Sequence, residues 1–220
     1  MSLLWLFGVV AAVELIGVAT DSILLQWLAK PLLAPVLLVH LLRVRRRVDP
    51  VAVGLVFATG GDIALLVSGD TAFLVGMGCF LGTQVAFLTA FLRHRRPPVV
   101  AVAAYLACWV AANLVLWNSL GPLRLPVLGY SLALSLMAAA AAGVSRRVAL
   151  GGGLFLISDL LIGMGAAGSR IPGHGLAVMT TYIAALLLIT TGWMAATTER
   201  ARPGTGSPAR APGPVPGNAR

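Results

Sequence analysis

Apolar residues run along this chain in long stretches, interrupted at intervals by short segments carrying charge, proline or glycine. Matched to the roughly 17 to 25 residues that a helix needs to cross a bilayer, the stretches predict helices over Leu3 to Ala19, Ile23 to Leu42, Val51 to Val67 and Thr71 to Phe91. The second half predicts Pro98 to Leu116, Val127 to Val144, Val148 to Gly165 and Leu176 to Ala196. The second stretch is interrupted by Lys30-Pro31, which leaves a strong apolar run only from Leu32 to Leu42 and predicts a short or tilted helix that begins at Pro31. The expected fold is an all-α polytopic membrane helix bundle of eight transmembrane helices over residues 1–196.

Composition sharpens this picture. With 59% hydrophobic and 10% charged residues and a mean hydropathy of +0.93, the chain has too little polar surface for a soluble domain. The net charge of +9 resides almost wholly in arginines clustered between apolar runs, which speaks for membrane orientation and against nucleic-acid binding. Thirteen arginines fall in the even-to-odd connections and the C-terminal tail, at positions 43, 45–47, 93, 95, 96, 146, 147, 200, 202, 210 and 220. Only Lys30, Arg124 and Arg170 fall on the other side. The alternation predicts cytoplasmic N- and C-termini. The first stretch lacks a basic n-region and is interrupted by Glu14, so it reads as a span and not as a signal peptide. Residues 197–220, rich in Pro, Gly, Ala and Arg, are expected to form a disordered basic tail, either solvated or resting on anionic lipid. The Arg-over-Lys preference, with abundant Ala, Gly and Val, points to a bacterial plasma membrane.

The scarce polar residues within the spans are the candidate chemistry. Glu14, Asp62 and Asp159 each lie 11 residues beyond the start of a predicted span, at a common depth of about 16 Å. GGDIALL and ISDLLIG surround the two aspartates with a small residue before the acid and aliphatic residues after it. Lys30, Asn113, Tyr130 and Tyr182 fall toward the outer half under the same topology and outline a pocket with the carboxylates. Two cysteines and three scattered histidines offer no metal-ligand spacing, and no metal or other cofactor is expected.

Lys30-Pro31, Gly61-Asp62, the PVLGYSLALSLM segment with Pro126, Tyr130 and Met137, GGGLFLISD ending in Ser158-Asp159, and Thr181-Tyr182 together carry a resemblance to the lysoplasmalogenase-like (YhhN) family of integral membrane proteins. The resemblance covers nearly all of residues 1–196. It implies hydrolysis of the vinyl ether bond of a lysophospholipid held in bilayer lipid, giving a fatty aldehyde and a glycerophospho-alcohol, with Asp62 and Asp159 as the catalysts. Protonation of an enol-ether carbon makes an oxocarbenium ion that water captures, a task suited to one carboxylic acid and one carboxylate; which aspartate takes which role stays open. Lys30, Tyr130, Ser158, Tyr182, Asn113 and Glu14 are the expected substrate-binding residues, Lys30 meeting the lipid phosphate. The chain departs from the family's pattern in having Gln84 and Phe87 where a His and a Tyr are usual, and Leu186 where a Gln is usual. Two other readings use the same residues. Acids at matched depth suit a small proton-coupled transporter, and the three departures suit a non-catalytic lipid-binding protein.

Overall fold

A computed structural model describes residues 3–117, 124–166, 168–169 and 171–201. Among the described residues there are eight helices and no strand: α1 (Leu3–Ala19), α2 (Ile23–Arg45), α3 (Pro50–Ala64), α4 (Asp70–His94), α5 (Val99–Leu116), α6 (Arg124–Ala141), α7 (Arg146–Ala166) and α8 (His174–Ala201). Five of them, α2, α4, α6, α7 and α8, are long and apolar enough to cross a membrane. The other three, α1, α3 and α5, are apolar but shorter. Arg170 and residues 202–220, most of the predicted tail, lie outside the described residues.

Local chemistry explains most helix ends. Arg46 closes α2 in the left-handed region, with its N–H donating to the Leu42 carbonyl. Asp49 caps α3, its carboxylate accepting from the Ala52 N–H at 3.1 Å, and Pro50 occupies the first helical position, where no N–H is needed. The far end of α3 stops three residues short of the predicted Val67, because residues 65–67 tighten into turns leading to Gly69, whose φ of 117° favours glycine. Residues 197–201, predicted as tail, continue α8, and the hydroxyls of Thr197 and Thr198 bond back to the carbonyls of Trp193 and Met194.

The predicted break at Pro31 is absent: α2 is one helix through both Pro31 and Pro35. Each proline forfeits a backbone hydrogen bond, at a cost of about 3 kcal/mol. That cost is offset by burial: Ala29, Leu33, Leu37 and Leu41 recur every fourth residue and form a seam against α1, α3 and α8.

The most extensive packing joins α7 to α8, α3 to α4 and α1 to α2. Contacts of α2 with α3, α4 with α6, α6 with α7, and α8 with α1 and α2 close seven helices into a ring, while α5 leans on α6 from outside. Every helix also exposes large aliphatic or aromatic side chains, among them Trp5, Leu28, Val56, Val75, Leu114 and Leu150, the surface expected where lipid replaces water. The α2–α3, α4–α5 and α6–α7 connections gather at one end, where Arg45, Arg47, Arg93, Arg95, Arg146 and Arg147 line two neighbouring cavities.

Close helix approach depends on small residues. A Cβ built on Gly54 of α3 collides with the buried Phe87 ring of α4, whereas one built on Gly78 of α4 meets nothing within 4 Å. Gly54→Ala is therefore expected to destabilise the detergent-solubilised protein by about 1–3 kcal/mol through overpacking, and Gly78→Ala to leave it unchanged or raise its Tm through better helix propensity. Thermal unfolding of both variants checks the pair, and a raised Tm for Gly54→Ala would contradict the packing account.

Candidate active site

Asp62 sits two residues from the end of α3, and Asp159 lies well inside α7. Both are buried, at 1% and 8% exposure. A carboxylate in apolar surroundings is costly unless donors reach it, and here the donors come from other helices. The Tyr182 hydroxyl of α8 donates to Asp62 Oδ2 at 2.7 Å. The Tyr130 hydroxyl of α6 donates to Asp159 Oδ2 at 2.6 Å, and the Gln84 amide of α4 donates to the same oxygen at 3.0 Å. Asp62 Oδ1 is buried and has no partner among the described residues.

The two acids belong to one polar cluster. Tyr182, bonded to Asp62, also lies within electrostatic reach of Asp159 and Tyr130. Aromatic edges wall the cluster: Phe80 meets the rings of Tyr182 and Phe155 at 5.8 and 6.3 Å, and Phe155 meets Tyr182 at 6.0 Å. Asp62 also feels Lys30 of α2 and Glu14 of α1. Glu14 is fully buried, its oxygens have no hydrogen-bond partner among the described residues, and Lys30 is the cation that faces it. Neither of the two arginine-lined cavities reaches the aspartates.

The structure thus gathers Asp62, Asp159, Tyr130, Tyr182, Lys30 and Glu14. Two expected substrate-binding residues are engaged elsewhere. Ser158 is buried with its hydroxyl donating to the Val178 carbonyl of α8 at 3.1 Å, a bond between helices. Asn113, on the peripheral α5, donates to its own helix at the Trp109 carbonyl and to the Ser131 hydroxyl. Lys30 is half-buried and acts electrostatically on the acids of α1 and α3. Gln84 joins the site as a partner of Asp159, and its sequence signal is the one that marks the acids, a polar side chain in the middle of an apolar span.

Comparison with known proteins sets this geometry in context: residues 25–193 match the YhhN family. The chain belongs to the YhhN family. Among curated relatives, it is 34% identical over 131 residues to the lysoplasmalogenase TMEM86B of Sus scrofa, covering 59% of this chain and 56% of that one. It is 33% identical over 138 residues to the lysoplasmalogenase TMEM86B of Homo sapiens, covering 62% and 59%. It is 33% identical over 151 residues to the lysoplasmalogenase of Mycobacterium tuberculosis, covering 63% and 58%. The matches therefore span less than two thirds of these relatives' own length. No solved structure matches the chain.

The three residues expected to depart from the family's pattern lie on α4 and α8, the helices that carry Gln84 and Tyr182. Gln84 bonds Asp159 directly, Phe87 meets Phe155 edge-on at 6.4 Å, and Leu186 is buried one helical turn after Tyr182.

The unequal hydrogen bonding of the acids predicts unequal costs. Tyr182→Phe removes the single bond to Asp62, an expected loss of about 1–3 kcal/mol. Tyr130→Phe leaves Gln84 on Asp159 and is expected to cost less. Unfolding midpoints of the two variants in detergent check the order, and equal losses would show that Gln84 does not hold Asp159.

Proposed function

We propose that this protein is a membrane-embedded hydrolase that cleaves the vinyl ether bond of lysoplasmalogen-type lyso-ether phospholipids, giving a fatty aldehyde and a glycerophospho-alcohol. The observation that carries the reading is the convergence of Asp62 and Asp159 on one tyrosine-lined cluster. The curated relatives, each named a lysoplasmalogenase, supply the reaction class.

Hydrogen bonding favours a division of labour. Asp159 Oδ2 already accepts two donors, the setting of an anion, whereas Asp62 Oδ1 is free to carry a proton. Asp62 gives that proton to the vinylic carbon beyond the ether-bearing one, and the developing oxocarbenium is stabilised by the Asp159 anion. Water adds to the cationic carbon as Asp159 takes its proton. The hemiacetal then breaks its carbon–oxygen bond, its own hydroxyl proton ending on the departing alcohol, and leaves the aldehyde. The proton on Asp159 returns to Asp62 across the hydroxyls of Tyr130 and Tyr182, which completes the balance.

Lys30 is the cation for the lipid phosphate, and the Glu14 carboxylate is the charge that acts on it from α1. The headgroup then lies toward the end of α3 opposite the arginine-rich connections, and the bias of thirteen arginines against three other cations supports eight crossing helices with both termini in the cytoplasm. The short α1, α3 and α5 cross by local thinning of the bilayer, and a bacterial plasma membrane suits the arginine-rich composition.

The test is mass spectrometry of products from a lyso-lipid panel. Parent protein releases aldehyde from the vinyl ether lipid, while Asp62→Asn and Asp159→Asn each lower the rate by at least about 10²-fold. Parent-like rates in either variant sink the mechanism, and lipid uptake into proteoliposomes without aldehyde would establish transport instead.

A further inference from the structure

Of the three buried acids among the described residues, Glu14 is the one without a part in the proposed proton transfers, and it is fully enclosed, at 0% exposure. It lies on the face of α1 that Phe7, Val10, Ala11 and Gly17 turn into the bundle. On that face α1 and α2 cross closely. A Cβ built on Gly17 lies 2.9 Å from the Leu25 Cβ, and the Gln26 amide donates to the Gly17 carbonyl at 3.4 Å. One helical turn from that crossing along each antiparallel helix, Glu14 of α1 stands level with Ala29 and Lys30 of α2. Lys30 and Asp62 are nearly level across the next helix pair, sixteen residues before Arg46 and thirteen after Asp49. Glu14, Lys30 and Asp62 thus form a row across α1, α2 and α3, and both Lys30 and Glu14 act electrostatically on Asp62.

Charge balance sets the protons in this row. Lys30 compensates one carboxylate, and a second uncompensated one in apolar surroundings is strongly disfavoured, so the two acids hold one proton between them. The groups acting on Asp62 are Lys30 from α2, Glu14 from α1 and Tyr182 from α8, while α4 brings the Phe80 ring against Gly61 and no charge. Lys30 is the charged group acting on Glu14. Tyr182 bonds Asp62 Oδ2 and leaves Oδ1 without a partner, an arrangement that suits a protonated acid. With the proton on Asp62, the charge opposite Lys30 is that of Glu14, which acts through space because no hydrogen bond reaches its oxygens among the described residues. We propose that Glu14 is a positioning residue for the reaction: its carboxylate balances Lys30 and thereby keeps the reacting proton on Asp62. Being enclosed, Glu14 touches no substrate and acts through Asp62. This role rests on the hydrolase reading and adds to it the group that sets the protonation of its acid.

The experiment measures aldehyde release from a vinyl ether lyso-lipid by the full chain in nanodiscs, as kcat/KM against pH. The parent rate falls on the alkaline side as the acid loses its proton. Glu14→Gln removes the negative neighbour and leaves Lys30 to favour the Asp62 anion, so the alkaline limb is expected to move to lower pH by about one unit. Lys30→Gln removes the cation and is expected to move the limb to higher pH. The double variant Glu14→Gln, Lys30→Gln is expected to return the limb close to its parent position, whatever its rate. A purely structural role for Glu14 would lower the rate at every pH and leave the limb in place. An unmoved limb in a folded Glu14→Gln protein, with the parent active, overturns the proposal. Should Glu14→Gln fail to fold, an unmoved limb in Lys30→Gln overturns it equally. A parent that releases no aldehyde at any pH removes the hydrolase reading itself, and this role with it.

Discussion

An aspartate surrounded by hydrocarbon must be reached by hydrogen-bond donors, and in this bundle the donors stand on helices that packing alone does not bring together. Tyr182 ties α8 to Asp62 of α3, and Gln84 ties α4 to Asp159 of α7, although neither helix pair is packed closely side by side. Only Tyr130 acts between neighbours, α6 and α7. The polar bonds therefore fix how the close pairs α3–α4 and α7–α8 face one another across the ring. Losing one of them leaves a buried carboxylate short of partners, which costs more than the bond itself contributes.

The small residue before each acid serves that geometry. Gly61 admits the Phe80 ring where any Cβ would lie 2.7 Å from it, and Phe80 in turn sets its edge against Tyr182, the partner of Asp62. Ser158 bonds the Val178 carbonyl, one helical turn before Tyr182, and so holds α7 at a set distance from α8 beside Asp159. The similar GD and SD pairs in the sequence thus solve one problem by different means, a missing side chain in one case and a backbone-directed hydroxyl in the other.

Helix positions and the burial of the two acids were legible from the chain because both follow from burial in lipid: apolar length marks a helix, and a charge within it marks a candidate site. What tertiary packing decides was not legible. Pro31 looked like a helix start, but the seam from Ala29 to Leu41 carries α2 through it. Ser158, from the motif that ends in Asp159, and Asn113, a polar residue within a span, were expected at the substrate, and a hydroxyl or amide that bonds a backbone carbonyl leaves the same mark in sequence as one that faces a substrate. Gln84 was visible as a departure from a family pattern, whereas its bond to Asp159 depends on how α4 and α7 face each other. Arg45 stood among its neighbours as one more orienting charge, and only the fold sets it apart as a buried one.

The helices α3 and α8 are joined twice, by Asp49 with Trp193 at the arginine-rich end and by Asp62 with Tyr182 near the other. The two acids are thirteen residues apart on α3 and the two aromatics eleven on α8, in opposite order, so the helices run antiparallel with clamps separated by about 16–20 Å. Between the clamps the helices do not touch closely, and side chains fill the gap, among them the fully buried Phe87 and Leu186. Two of the three expected departures from the family's pattern are Phe87 and Leu186 themselves, and the third, Gln84, is one helical turn before Phe87. A change at any of these three positions alters the side chains around the gap and leaves the Asp49–Trp193 and Asp62–Tyr182 bonds in place.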